Sequence, residues 1–536
     1  MQSINFHLLE TEILAAMTAA SVPGLALGII DKNRLIYARG FGLTSVEDGG
    51  VPITPQTIFR IGSITKCLTG TAVMRLVDSG RLSLDRPVSC YVPELCKLQT
   101  TSDTPVTIRM LMNHTAGFPT EVNDHGRRDC EALSRRVRDE IPYYPLLFPP
   151  GRLWSYSNPG IDILGYIIAT EVGTSFPVAM DQILFGPLEM MRTTFDPTVA
   201  MTYPLALSHD LDETGALRVR HKFAENAGEH PDGFAMSTVL DLANFAIMHM
   251  QGGCFKESQF LTADAVAQMH EPSVDLYLTR GTEYGLTFFT EMYKGIRRVW
   301  HEGAIDRFGS KLIMMPTAGT AVIFLCNRAA DFWRAANQII DHIIDRLLDL
   351  REDESKTTAV ALDAISWKAC VGDYRGVSCG IVSLRTEQDQ PVLIWKNRRV
   401  SLRCMRRDLY CADDDSEERF SVGIISETDG SVNYIVLNGD PCERTLDISE
   451  PDPECWAAYE GVYVGVATAS IDRIIVRVTH GRMSLYTSAE GNTLPCIPWG
   501  LTRFRCHFGE LEFQLDGEGR AHAMCVKNRI FKKIDV

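Results

Sequence analysis

The sequence predicts a mixed α/β region followed by two small antiparallel β domains. Three observations carry that expectation. Strand-like and helix-like segments alternate over residues 1–350. The polar run Arg351–Glu352–Asp353–Glu354–Ser355–Lys356–Thr357–Thr358 then reads as a linker, taken as 351–362. Beyond it the chain becomes a series of short β-prone segments containing an internal repeat.

Each element follows from local pattern. Leu25–Ile30 and Leu35–Gly40 read as a hairpin closed by Asp31–Lys32–Asn33. Leu68, Ala72, Val73, Leu76 and Val77 share one helical face, which predicts a helix over 64–79 with Gly80 as its C-terminal cap. Trp333, Ala336, Ile339, Ile340, Ile343, Ile344 and Leu347 predict a second long helix within 330–350. Val392–Trp395, Tyr434–Leu437, Ile474–Val478 and Leu511–Leu515 are β-prone and are separated by Gly, Asp and Asn. Trp367, Gly372, Tyr374 and Gly376 recur as Trp456, Gly461, Tyr463 and Gly465, each 89 residues later. The repeat predicts two similar domains, 363–450 and 451–536, each a small barrel or meander with closed edges. Two hairpins within one larger sheet are the alternative.

Composition narrows the function classes. At ~150 residues per domain, 536 residues suggest two to four domains. A 45% hydrophobic and 23% charged chain is neither disordered nor collagen-like. With 53 basic and 68 acidic side chains, the net charge of −15 argues against nonspecific nucleic-acid binding. No stretch reaches the ~18 to 20 apolar residues of a membrane span, and the N-terminus lacks a basic start with a long apolar run. The 15 cysteines are scattered without a Cys-x-x-Cys pair, so reduced thiols in a cytoplasmic protein are expected rather than a disulfide framework or zinc site. His114, His125, His301 and His507 show no spacing such as His-Glu-x-x-His, and no metal or cofactor is expected.

Three segments carry candidate chemistry. In Phe59–Arg60–Ile61–Gly62–Ser63–Ile64–Thr65–Lys66 the serine falls at a helix start with Lys66 three residues on, on the same face. A serine hydroxyl needs an adjacent base. Lysine serves only when neutral, so burial, a nearby cation and the positive helix end are expected to lower Lys66. The Ser63 N–H at that helix end is an oxyanion donor. Tyr156–Ser157–Asn158 follows the turn Pro149–Pro150–Gly151. Its phenol suits proton transfer next to a Ser/Lys pair, and Asn158 suits a substrate carbonyl and Lys66. His301–Glu302–Gly303–Ala304 follows a strand-like Arg298–Val299–Trp300. Gly303 permits close backbone approach and the Ala304 N–H is the second oxyanion donor. Alternation along the strand should turn Glu302 away from His301.

Each segment alone has an ordinary structural reading: an N-cap serine with a solvated lysine, a surface loop tyrosine, a structural histidine. In this order they resemble the serine β-lactamase and penicillin-recognising family, in its branch of class C β-lactamases, D-alanyl-D-alanine carboxypeptidases and esterases. Leu111–Met112–Asn113–His114–Thr115–Ala116–Gly117–Phe118, Ala235–Met236–Ser237–Thr238 with Asp241, and Val77–Asp78–Ser79–Gly80–Arg81–Leu82–Ser83–Leu84–Asp85 add to the resemblance. It implies an α/β sandwich: a β-lactamase/transpeptidase-like domain with an antiparallel sheet flanked by helices, plus a helical region. It also implies an acyl-enzyme on Ser63, proton transfer by Lys66 and Tyr156, and an oxyanion held by the Ser63 and Ala304 N–H groups.

Where many members carry Lys-Thr-Gly, this chain has His301–Glu302–Gly303. A neutral histidine is a poorer carboxylate partner, which counts against penicillin hydrolysis. His-x-Gly resembles the D-aminopeptidases and some esterase-like relatives, and the two small lipocalin-like barrels resemble the D-aminopeptidase architecture. The candidate substrate-recognition hairpin, Phe504–Arg505–Cys506–His507–Phe508–Gly509–Glu510–Leu511, is short for that role. The expectation is a cofactor-free serine hydrolase for small ester, amide or short peptide substrates. Acyl transfer by an esterase- or thioesterase-like enzyme, and a catalytically silent binding scaffold, are the alternatives.

Overall fold

The computed structural model describes residues 4–98, 102–120, 124–144, 146–329, 332–350, 367–376, 379–396, 398–413, 420–445, 453–465, 473–479, 482–487, 493–498, 502–506, 509–526 and 529–534. The expected linker and the tip of the 504–511 hairpin lie outside these residues.

Eight antiparallel strands form the central sheet. In chain order they are β1 (Gly24–Asp31), β2 (Arg34–Gly42), β3 (Val274–Asp275), β4 (Glu283–Tyr284), β5 (Phe289–Tyr293), β6 (Ile296–Ile305), β7 (Phe308–Met315) and β8 (Thr320–Cys326). Their spatial order is β2-β1-β8-β7-β6-β5-β4-β3. Lys32 and Asn33, with φ of 50° and 59°, close the first hairpin, and Asp306 and Arg307, with φ of 44° and 69°, close β6 onto β7. Positive φ at both central residues is what a two-residue hairpin turn requires.

Period-two alternation buries both faces. Leu25, Leu27 and Ile29 of β1 join Ile313, Val322 and Phe324 on one side. The helices α1 (Phe6–Ala19) and α5 (Trp333–Leu348) cover that side, the latter through Ala336, Ile339, Ile340, Ile343 and Ile344. Ala26, Ile30, Leu312, Ile323 and Leu325 face the opposite core, which holds α2 (Ile64–Asp78), α3 (Asn158–Val172) and α4 (Val239–Met250). α2 runs almost wholly inside this core. The short strand Phe59–Arg60, paired with Met236–Ser237, delivers the chain to its start, and Gly80 ends it at a φ of 73°. The Ala235–Thr238 stretch is structural: Thr238 caps α4 by accepting from the Asp241 N–H at 3.1 Å.

From Gly372 onward the described chain is mostly β structure. Eight strands from Gly372–Gly376 to Asp440–Thr445 form a closed barrel, sealed by pairing of the first strand with the last. The second unit is a nine-stranded antiparallel sheet among the described residues. Its end strands, Thr493–Pro495 and Ile497–Pro498, are separated by Cys496 alone, so one kinked segment pairs with Arg482–Thr487 on one side and Arg503–Cys506 on the other and curls the sheet into a barrel-like unit. The 89-residue repeat is a shared cap. Tyr374 donates to the Cys370 carbonyl at 2.8 Å, and Tyr463 to the Tyr459 carbonyl at 2.7 Å. A Cβ on Gly372 would meet Arg444 at 2.5 Å, and one on Gly461 would meet Lys533 at 2.4 Å. Arg444 and Lys533 are themselves 89 residues apart, a fifth matched pair that only the folded structure makes visible.

Candidate active site

Ser63 occupies the turn between the Phe59–Arg60 strand and α2. Its backbone is already helix-like (φ −66°, ψ −5°), and its side chain makes no capping hydrogen bond. The hydroxyl is therefore not spent on the helix. One turn on, Lys66 Nζ donates to Ser63 Oγ at 3.0 Å and to the Asp232 carbonyl at 2.8 Å. The Asp232 carboxylate lies 3.9 Å from the ammonium. Lys66 is fully buried, so this network replaces its water.

Tyr156 brings its ring to 4.9 Å from Lys66 Nζ. Asn158 starts α3, buried, behind the N-cap Ser157, whose side chain accepts from the Gly160 N–H at 3.2 Å. Asp162, one turn further along α3, also acts on the Lys66 charge and is held by Arg136 at 2.6 Å.

The electrostatics reverse one expectation. Burial does push Lys66 down, as expected, but Tyr156 and Asp232 outweigh it and leave the ammonium above its ordinary value. Tyr156 is also raised, by burial, against the pull of the Lys66 charge and the Ser63 hydroxyl. At rest the pair therefore holds both protons, and Ser63 accepts from the lysine. One proton must leave before either group acts as a base.

His301, on β6, is buried. Its Nε2 lies 3.3 Å from the Tyr284 hydroxyl and its Nδ1 2.6 Å from the Glu302 carbonyl oxygen. Burial and the Lys66 charge push it down to about 3, so the ring is neutral. Glu302 points the other way, as alternation requires, and pairs with Lys311 at 3.2 Å.

The strand end beside Ser63 is built for two donors. β5 pairs with β6 only as far as Trp300, so among the described residues no strand covers the outer edge beyond it. The two-residue turn makes Ile305–Phe308 a hydrogen-bonded pair and Ala304–Gly309 a non-bonded one. The Ala304 N–H therefore points to the open edge. There the chain meets the serine turn: a Cβ on Gly62 would lie 2.6 Å from the Ala304 nitrogen, and one on Gly303 would lie 2.9 Å from the Ser63 nitrogen and 2.0 Å from the Ile61 carbonyl oxygen. Two glycines let the Ser63 and Ala304 N–H groups come side by side.

The structure thus brings Ser63, Lys66, Tyr156, His301, Gly303 and Ala304 together, with Asn158 on the adjoining helix start. Sequence reasoning missed three neighbours. Asp232 lies 166 residues from the lysine it holds, and its signal was the turn sequence Pro231–Asp232–Gly233. Tyr284 carried none. His114 lay inside a stretch noted only for its resemblance. Its ring lies 4.5 Å from Tyr156 and 5.0 Å from Tyr284. The Ser157 N–H donates to His114 Nδ1 at 3.2 Å, which leaves the proton on Nε2. That atom and Trp154 Nε1 are buried without a hydrogen-bond partner among the described residues. His114, Trp154, Tyr156, Tyr284 and Phe289 form one aromatic wall. Among the described residues no group of three or more His, Cys, Asp or Glu side chains is arranged to hold a metal ion.

Comparison with known proteins adds to this geometry. A family model described as Beta-lactamase matches residues 9–343. The chain is 30% identical over 323 residues to penicillin-binding protein 4 of Amycolatopsis lactamdurans, covering 58% of this chain and 83% of the relative. It is 24% identical over 406 residues to Protein flp of Staphylococcus aureus (strain MW2), covering 72% and 78%. Among solved structures it resembles the octameric penicillin-binding protein homologue from Pyrococcus abyssi, with a TM-score of 0.57, 23% identity and coverage of 82% and 100%. It also resembles SurE, with a TM-score of 0.62, 22% identity and coverage of 82% and 99%. These two likenesses concern the fold.

Proposed function

The chain belongs to the beta-lactamase family of serine acyl-enzyme hydrolases, and from that premise we propose that it cleaves ester or amide bonds of small substrates through an acyl-enzyme on Ser63. The observation that carries this reading is the buried Lys66 Nζ donating to an uncapped Ser63 Oγ at 3.0 Å. Loss of one proton from the Lys66–Tyr156 pair supplies the base. Ser63 Oγ then attacks the acyl carbon, and its proton passes through the pair to the leaving group. The Ser63 and Ala304 N–H groups receive the oxyanion, Asn158 contacts the substrate carbonyl, and water releases the acyl group. His301 and Gly303 border the bound substrate.

The substrate class follows from His301. A neutral imidazole beside an aromatic wall favours an uncharged acyl group over a substrate carboxylate at that position. We therefore favour a D-aminopeptidase-like amidase or esterase over a penicillin hydrolase. The aromatic wall also supports a second reading, acyl transfer to an amine or alcohol, because a dry site slows hydrolysis of the intermediate.

The test is intact-protein mass after incubation with a D-alanine amide, a p-nitrophenyl ester or a penicillin, using wild type and Ser63→Ala. An adduct or turnover that is lost in the variant supports the mechanism, and the preferred compound selects the subclass. Equal turnover in both proteins would overturn it. Product partitioning between water and an added amine separates hydrolysis from transfer.

A further inference from the structure

Among the described residues the closed barrel meets the first domain at the strap 147–153 and at the turn 275–278, and both lead into the site. The first is the strap 147–153, which ends one residue before Trp154 and three before Tyr156. Leu147, Phe148 and Leu153 form a small apolar cluster with Ile425 and Tyr434 of the barrel, and the Phe148 and Tyr434 rings meet edge-on at 6.0 Å. Arg152 Nη2 pairs with Glu427 Oε1 of the barrel at 2.7 Å. The second segment leads from β3 into β4 and Tyr284. Asp275 pairs with Arg406 of the barrel. The Tyr277 ring sits on Gly423 so closely that a Cβ there would lie 2.3 Å from Tyr277 Cγ.

The strap is in turn tied to the inner loop of the site. The Leu147 N–H donates to the Gly117 carbonyl and the Gly151 N–H to the Thr115 carbonyl, both at 2.7 Å, and the Ser155 N–H donates to the His114 carbonyl at 2.8 Å. Gly117, with a φ of 87°, leaves room for the Phe148 carbonyl, which a Cβ would meet at 2.2 Å. The strap belongs to a cluster separate from the main core. Its outer side is held by the barrel, and its inner side by backbone hydrogen bonds to the loop that carries His114.

We propose that the closed barrel positions Tyr156: Gly423, Ile425, Glu427 and Tyr434 clamp the strap and the Tyr277 turn, fixing the phenol over Lys66. The proposal rests on the reading of Tyr156 as a proton carrier. These barrel residues touch no reacting atom. They act through the strap, so their loss changes the chemical step more than substrate binding. A shift of about 1 Å in a reacting group costs up to about 10²-fold.

The test uses the full chain with Gly423→Val, which forces the Tyr277 ring off the barrel, and Glu427→Arg, which sets two cations against each other. The exchange Arg152→Glu with Glu427→Arg serves as rescue. Gly423→Val is expected to lower kcat for a p-nitrophenyl ester by about 10-fold, with KM little changed and the alkaline limb of the pH profile displaced. Glu427→Arg loses less, and the exchange recovers most of that loss. Amide hydrogen exchange over 146–157 speeds up in both single variants while exchange over α2 stays as in wild type. Should Gly423→Val fail to fold, Glu427→Arg and its rescue decide alone. Wild-type kcat and pH profile in folded variants would overturn the proposal, even with a looser strap. If the wild type turns over no ester, the functional reading fails separately. The exchange arm then decides: a faster strap supports the clamp and an unchanged one overturns it.

Discussion

Two tyrosine–cation pairs in this molecule, each with one fully buried member, look alike and differ in the chemistry open to them. In the site, Lys66 Nζ lies 4.9 Å from the Tyr156 ring. In the closed barrel, the Arg444 guanidinium lies 5.0 Å from the Tyr374 ring. Arg444 spends its fork on the Ala369 and Val432 carbonyls at 2.6 Å, the Val371 carbonyl at 3.0 Å and the Tyr374 hydroxyl at 2.7 Å. Every partner is fixed, and an arginine gives up no proton. Lys66 has a backbone carbonyl on one side and a serine hydroxyl on the other, and an ammonium can lose a proton. A tyrosine–cation pair is thus not chemistry in itself. It becomes so when the proton is removable and a nucleophile is within reach.

The comparison breaks first at Ser63. Ser63→Ala is expected to lower turnover by at least ~10⁴-fold with the thermal midpoint near wild type, and an ester assay beside a melting curve checks it. Lys66→Arg gives the site the barrel's chemistry, with charge kept and proton fixed. It should cost at least ~10²-fold in kcat/KM, as should Tyr156→Phe. Wild-type rates in both would mean the proton travels by another route. Because Lys66 and Tyr156 are both raised, wild-type kcat/KM should climb as pH rises and one proton leaves the pair, and a pH profile flat from neutral upward would contradict this. In the barrel, Tyr374→Phe removes one partner of a half-buried guanidinium and should cost about 1 kcal/mol, read as a lower unfolding midpoint with Ser63 labelling unchanged.

The smallest effect concerns acid. Burial pushes His270 down to about 3, whereas an unfolded histidine titrates near ~6.5. Between those values the unfolded chain binds the extra proton, so stability falls as pH drops through that window. Buried Asp162 and Asp241 are raised by burial and work in the opposite direction. The readout is therefore a difference: His270→Gln should lose less stability than wild type between pH 7 and pH 5 in denaturant titrations, and equal losses would remove His270 from the account.

What the sequence made legible was local. The Ser63–Lys66 spacing, the α2 face, the hairpin closed at Asp31–Lys32–Asn33 and each copy of the repeated Trp–Gly–Tyr–Gly pattern all lie within a few residues of themselves. What it hid was set by distant pairing. The direction of the Lys66 shift could not be read because Asp232 and Tyr156 arrive from far along the chain, and burial alone points the other way. Closure of the first barrel depends on Gly376 meeting Cys442, a contact no propensity specifies, and the second sheet turns back on itself through a one-residue break at Cys496 that the repeat does not mark.

The uncovered edge of β6 has a consequence beyond its donors. A bare strand edge is a template on which another chain can add a strand and start an aggregate. Here the Gly62–Ser63 turn packs on the Gly303–Ala304 end of that strand, where a Cβ on Gly62 would lie 2.6 Å from the Ala304 nitrogen. A strand added at this edge would have to lie directly beside Ser63. The edge that a bound substrate would use is thus also the edge an intruding chain would use, and binding a substrate there would protect the sheet.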